Sequence, residues 1–401
     1  MEFLDQIFIW TKTQVVGALP NVLQVPGSIL LSILPIMAVF PLLFALTTVA
    51  ERKILGRMQN RLGPNRVGPF GFLQWAADGI KTITKEDLVP RNADKIVHFL
   101  APVALLAPVL LAYSVLPFGR GMYAIELDAG LLFFFAVGAG TELAVFMAGW
   151  SSRNKYSLLG AMRAVAQMIS YELPLLLSAV SVVMIVGSLN PNEIVAAQEG
   201  FKGAGGLIPN WHVFTPWGLA GFGLFMIAAA AESNRSPFDL PEAESEIIAG
   251  YFVEYSGMKF ATFFLAEYLG LFVISSLGIV LFLGGWHAPA PFALFELVPS
   301  WAWFMGKLVT IIFCFIWVRG TLPRLRIDQL MNFAWKFMLP MTLINLLVVA
   351  IWQYALAWGF VGAGLLRWLI CGGLLVGPYL ALGQGLMNSR NWGKRTYRYA
   401  S

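Results

Sequence analysis

The chain has 401 residues, 58% of them hydrophobic and 12% charged, with a mean hydropathy of +0.72 and fourteen tryptophans. That composition exceeds what a soluble core needs, excludes a water-soluble enzyme and points to a polytopic membrane protein. The formal net charge of +5 comes from 27 Lys and Arg against 22 Asp and Glu, and where those charges fall says more than their sum.

From Met1 to Pro26 the chain begins acidic and lacks a basic stretch ahead of a short apolar core, so no classical cleavable signal peptide is read there. Nine runs of helix-spanning character follow: Ser28–Ala50, Ile96–Gly119, Ala129–Trp150, Ala164–Ser188, Pro216–Ala231, Phe260–Trp286, Ser300–Val318, Phe337–Phe360 and Leu365–Met387. The fifth is short for a full crossing and implies a thinned or protein-lined region. Placing the loops after the odd-numbered spans on one side gathers all the Lys and Arg there except Lys12, Arg120, Lys202, Arg367 and the intramembrane Lys307. By the positive-inside rule that side is cytoplasmic, with the N-terminus outside and the C-terminus inside. The fold class expected is therefore all-α: a polytopic bundle of about nine transmembrane helices, a short interfacial helix and structured cytoplasmic loops.

The first cytoplasmic loop, from Ala50 to Gly71, alternates arginines with Gly-Pro turns, which rules out a continuous helix and suggests a fixed basic surface or a plain topology anchor. Phe72 to Thr84 then carries apolar residues at helical spacing and reads as an interfacial helix too short to span. On it, Asp78 and Lys81 either line a cavity or are solvated. The loop after the third span leads from Gly149 into a span holding Arg163, Gln167 and Glu172, with Glu172 about two and a half turns deeper than Arg163. A carboxylate at that depth is costly unless protonated or paired, so Glu172 is a functional candidate. Pro174 frees the carbonyl of Ser170 beside it. Glu142 and Glu267 are two further intramembrane acids, and Lys307 is a candidate partner for such groups.

The most polar segment is Glu232-Ser-Asn-Arg-Ser-Pro-Phe-Asp-Leu-Pro-Glu-Ala-Glu-Ser-Glu246, with five carboxylates and one arginine between two apolar runs. Asp239 to Glu242 matches a capping box, so part of this charge starts a helix. Glu242 and Glu246 lie four apart on one face, a repulsive arrangement that capping does not require, while Glu244 points elsewhere. Carboxylates crowded beside a low-dielectric phase disfavour one another's ionisation and exchange protons near neutral pH. Glu254 continues the polar series. The basic stretch Arg319 to Lys336 could pair with this acidic loop or with an anionic partner.

No GxGxxG or Walker loop is present, the three histidines are scattered, and Cys314 and Cys371 both fall inside spans. Any redox group must therefore sit on another chain. The segments Glu51-Arg-Lys through Asn65, Gly149-Trp-Ser-Ser through Ser-Tyr-Glu172, Arg235-Ser-Pro-Phe-Asp-Leu-Pro-Glu-Ala-Glu-Ser-Glu246, Ala266-Glu-Tyr268 and Leu322 through Met331 resemble the family of respiratory complex I membrane subunits called H in bacteria and ND1 in mitochondria. The resemblance covers about residues 28 to 360. It implies a subunit of proton-translocating NADH:quinone oxidoreductase in the bacterial inner membrane. This chain would bind no cofactor of its own; quinone would be the substrate, with iron–sulfur clusters and FMN in partner subunits.

By the same resemblance Arg52, Arg61, Asp78, Lys81, Arg235, Phe238 and Asp239 would belong to the quinone path. Glu142, Glu172, Glu242, Glu244, Glu246, Glu254 and Glu267 would relay protons away from it. The implied partners are hydrophilic quinone-site subunits on the cytoplasmic side, small membrane subunits on the antiporter side, and lipid. Two departures stand out: residues 361–401 add a ninth span and a basic tail to an eight-span domain of residues 1–360, and Glu142 has no matched family position. Two rival readings are the equivalent subunit of a membrane-bound hydrogenase or formate-hydrogen lyase, and a stand-alone secondary transporter, which would show inverted repeats that the sequence lacks.

Overall fold

A chain in hydrocarbon must close its backbone hydrogen bonds within each segment. The computed structural model describes residues 2–202, 208–239, 250–291, 298–355 and 363–388, and it is helical nearly throughout. In chain order the helices are α1 (Glu2–Gly17), α2 (Asn21–Met58), α3 (Gln74–Thr84), α4 (Lys95–Ala112), α5 (Gly130–Gly138), α6 (Gly140–Ser151) and α7 (Lys155–Val186). There follow α8 (Pro191–Ala196), α9 (Pro216–Glu232), α10 (Gly257–Phe282), α11 (Ser300–Thr321), α12 (Ile327–Phe333), α13 (Leu339–Tyr354) and α14 (Ala363–Asn388). Among the described residues the only strands are β1 (Phe201–Lys202) and β2 (Ile208–Pro209), paired antiparallel with Phe201 opposite Pro209.

Among the described residues, eight helical segments are long and apolar enough to cross a membrane, and α9 is a shorter apolar helix. Each of the nine expected spans thus has its helix, and the chain is an all-α polytopic membrane bundle. The third span is interrupted at Ala139, which keeps helical angles (φ −56°, ψ −21°), so α5 and α6 run on almost as one. α12 and α13 are joined by a π turn, Ala334–Met338.

Helix boundaries follow from side chains that can satisfy free backbone donors. The Asn154 side chain accepts from the Tyr156 amide at the start of α7 (3.0 Å), and Thr215 accepts from Gly218 at the start of α9 (3.2 Å), with Pro216 in the first turn. Gly187, at φ +78°, closes α7 in the left-handed conformation that suits glycine.

The core is organised around α7 and α10. α7 packs on α6, α9 and α13, whereas α10 packs on α4, α9, α11, α2 and α3. Gly160 brings the backbone of α7 against the turn at Gly250; a Cβ there would lie 2.7 Å from the Gly250 carbonyl carbon. This contact sets Tyr251 against α7, where Ser157 donates to its carbonyl (2.8 Å). α14 lies against α13, α9 and the π turn. Its Trp368 ring meets Trp352 at 5.9 Å, and the Arg367 guanidinium sits 3.8 Å over the Trp352 ring.

The C-terminal end of α10 is closed by side chains rather than by a simple cap. The Gln198 amide donates to the carbonyl of Val280 (2.8 Å), the His212 ring meets that of Leu281 (2.8 Å), and the Lys307 ammonium donates to those of Leu283, Gly285 and His287 (2.7, 2.7 and 2.8 Å). The last carbonyls of a helix carry partial negative charge and lack intrahelical donors. Lys307 answers both needs and lies 4.0 Å over the Trp211 ring. Its expected pairing with an intramembrane acid does not occur: it sits two turns into α11, at the end of the bundle away from those acids, and its three donors go to backbone.

Candidate functional site

At the opposite end of the bundle the polar side chains face one another. α2 carries Glu51 inward, where it is 6% exposed. Tyr268 of α10 donates its hydroxyl to one Glu51 oxygen (2.5 Å), Arg319 of α11 donates to the other, and Arg235 Nη1 stands 3.9 Å from it. The Arg235 guanidinium also covers the Tyr268 ring at 3.8 Å. Two cations and a phenol around one buried carboxylate make up for the hydration it loses. Thr47, Leu271, Ile312, Phe315 and Ile316 wall a small hollow beside the cluster.

Arg235 comes from the turn after α9, which is anchored at several points. Asn234 is left-handed at φ +49°, the Arg235 amide donates to the Ala230 carbonyl (3.0 Å), and the Phe238 amide donates to the Arg235 carbonyl (2.8 Å). Asp239, at the end of the described turn, accepts from Arg324 (2.8 Å), and the Leu325 amide donates to the Pro237 carbonyl (3.1 Å). The expected pairing of the acidic segment with the basic stretch after α11 is therefore present. Phe238 is buried and its ring meets that of Tyr171 at 5.4 Å.

Glu232, one turn back on α9, faces a cavity of about 90 Å³ whose wall also holds Glu172 of α7, Glu267 of α10, Asn234 and Tyr251. Tyr251 donates to Glu267 (2.7 Å). Glu142, in the first turn of α6, lies beside Glu172, and both carboxyl groups lie near Glu232. The rest of the wall is apolar, including Leu105, Val109, Phe134, Met168 and Val273. Glu142, Glu172 and Glu267, expected separately, are thus brought to one place. Glu232 joins them, although in sequence it is only the first member of the acidic run.

The remaining expected residues are spread along the same end of the bundle. Glu254 accepts from Asn154 (2.7 Å) and stands apart from the cavity wall. Arg52 pairs with Asp78 of α3 at 2.7 Å, both partly exposed, and Gln74 donates to the other Asp78 oxygen (3.1 Å). Lys81 is exposed on α3, and Arg61 donates to Gln59 (2.8 Å). α3 buries none of its residues and exposes Ile80 and Ile83, as an interfacial helix should. The loop between α2 and α3 is a shaped one: Gly71, at φ +73°, has no room for a Cβ, which would stand 2.2 Å from the Pro64 carbonyl oxygen. Glu242, Glu244 and Glu246 lie outside the described residues.

Comparison with known proteins bears on what this end of the bundle serves. Residues 31–350 match the model of the family described as NADH dehydrogenase. A protein of Dehalococcoides mccartyi (strain CBDB1), described as the H subunit of NADH-quinone oxidoreductase, is 50% identical over 300 residues, 75% of this chain and 80% of that protein. The chain belongs to the family of NADH-quinone oxidoreductase H subunits. Members from Bacillus cytotoxicus and Geobacillus kaustophilus are 48% and 47% identical over 304 and 313 residues, 76% and 78% of this chain and 87% and 89% of theirs. The family match ends near the close of α13, so α14 lies beyond it.

Three functional candidates in this H-type subunit emerge only from the fold: Glu51, Tyr268 and Arg319. Glu51 and Tyr268 stand inside quoted family segments and Arg319 just before one, but no residue says on its own that partners 217 and 268 positions away will converge on Glu51.

Proposed function

We propose that this chain is the membrane subunit of a proton-translocating NADH:quinone oxidoreductase and that it forms the membrane wall of the quinone chamber. The names of its relatives favour a quinone enzyme over a hydrogenase. Electrons would come from iron–sulfur clusters and FMN held by partner subunits on the cytoplasmic side, with this chain in a bacterial inner membrane, its N-terminus outside. Quinone would approach past α3 and the basic loop, where Arg52, Arg61, Asp78 and Lys81 stand, and meet Arg235, Phe238 and Asp239 on the turn after α9. Reduction of a quinone there consumes protons and alters the field at the Glu51 cluster and at Glu242, Glu244 and Glu246. Glu142, Glu172, Glu232 and Glu267 would carry the response inward, with Glu254 acting from outside the cavity, because a charge placed on one carboxyl in a low-dielectric cavity disfavours charge on its neighbours.

The observation that carries this reading is the turn itself: Glu232 faces the carboxylate cavity while Arg235, three residues on, contacts Glu51 and Tyr268. One short segment thus touches both halves of the proposed machinery. The test is inhibitor-sensitive NADH:quinone activity and proton uptake in membranes carrying Arg235→Leu in the assembled enzyme. Both are expected to collapse together. Normal activity with normal proton translocation would refute the reading.

A further inference from the structure

Gln167 is 2% exposed on α7 and lies outside the wall of the carboxylate cavity. Its amide nitrogen donates to the carbonyl of Ala231 (2.8 Å), the carbonyl of Phe238 (2.8 Å) and Oδ1 of Asn234 (3.2 Å). Two of these three partners are backbone carbonyls, which only accept, so the nitrogen must be the atom facing the turn. The side-chain oxygen has no partner. Leaving a buried amide oxygen unpaired is unfavourable, and the arrangement is explained by what the nitrogen holds: both ends and the middle of the turn from Ala231 to Phe238.

That turn delivers Glu232 to the cavity, Arg235 to Glu51 and Asp239 to Arg324. Gln167 belongs to the same helix as Glu172 and lies about 7.5 Å before it along the axis. It therefore fixes the turn to the helix that carries the deepest expected relay acid. We propose that Gln167 is a positioning residue for the coupled reaction: it holds the turn at a set distance from α7, so that a change at the Arg235 cluster is transmitted to the carboxylate cavity. Coupling of this kind requires a contiguous physical link with defined positions. Gln167 closes that link with one amide group, and it acts through the turn, without touching quinone. The inference rests on the proposed quinone and proton roles, and its test separates the two.

The experiment uses the assembled enzyme in native membranes or proteoliposomes with Gln167→Leu and Gln167→Glu, reading hydrogen exchange of residues 231–239, NADH:quinone rate and protons moved per NADH. In Q167L the turn amides of Arg235 and Phe238 should exchange faster, and protons per NADH should fall about twofold or more while quinone reduction continues. A glutamate keeps the shape but, when ionised, offers only acceptors to three acceptors. Protonated, it regains one donor, so coupling in Q167E should improve as the pH is lowered, whereas the wild type should not show that trend. This pH-dependent recovery is not expected of a residue that only fills space, and it decides the matter if Q167L fails to assemble. Unchanged exchange in the turn, or faster exchange with undiminished protons per NADH, would overturn the proposal. If Arg235→Leu in the same membranes leaves activity and pumping intact, the underlying functional reading fails instead, whatever the Gln167 variants do.

Discussion

The two ends of α10 are made of the same chain and do opposite things with polar groups. In its N-terminal half, Glu267 and Tyr268 face other side chains: Tyr251, Glu51 and the arginines around it. Towards its C-terminal end, Leu277, Ile279, Val280, Leu281 and Phe282 are fully buried, Gln198 bonds backbone carbonyls and amides, and His212 and Lys307 bond backbone carbonyls. Side chains bonded to one another can exchange partners and protons. Those fixed to carbonyls have a single arrangement. Side chains that pair with one another thus gather at one end of the bundle, and residue type alone does not mark that end, since Lys307 belongs to the basic residues just as Arg235 does.

The largest effect is expected from emptying the Glu51 cluster. Glu51→Ala removes the anion that Arg235 and Arg319 share, and removing one member of a buried charge cluster costs about 3–5 kcal/mol. Loss of assembled enzyme or of nearly all NADH:quinone activity should follow, as read by activity-stained native gels; a variant with ordinary activity would erase the distinction drawn between the ends. Next comes Glu172→Gln, which keeps volume and removes a carboxyl group from the cavity wall. Coupled quinone reduction should drop about tenfold or more with assembly retained, measured as uncoupler-sensitive turnover in vesicles.

At the other end Lys307→Met strands three carbonyls, at about 1–3 kcal/mol for each left unsatisfied. It should lower the thermal midpoint of the purified complex while the KM for quinone stays put. A raised KM would mean that the two ends communicate more than their bonding suggests. Smallest is Asp78→Asn on α3, where a partly exposed pair with Arg52 contributes at most about 1 kcal/mol. Stability should not move, and a change in KM for long-chain quinones alone would place this pair on the substrate path.

The helices are legible in the sequence because membrane spans announce themselves by length and hydropathy, and the short fifth run is legible even in its shortness, matching α9 to a residue. The interfacial helix and the pairing of Asp239 with the basic stretch are also readable from amphipathic spacing and from sign of charge. The Glu51 cluster is not, because its members come from α2, α10, α11 and the turn after α9, and only packing sets their register. For Lys307 residue type alone points the wrong way, although its depth holds the clue: it lies near the end of its span where α10 finishes, while Glu267 lies nearer the other end of α10. Depth along each span, counted from the correct end, separates them.

The brevity of α9 has a consequence for where its turn lies. At 17 residues it rises about 25 Å, against a hydrocarbon slab about 30 Å thick. Its neighbours α7, α10, α13 and α14 flank it, so the shortfall can be met inside the protein without drawing the lipid surface inward. The segment bearing Asn234, Arg235 and Asp239 then starts below the level of the surrounding headgroups, in a recess of the slab. A single extra helical turn inserted before Glu232 would keep those residues on nearly the same face but lift them by about 5.4 Å, taking Arg235 away from Glu51.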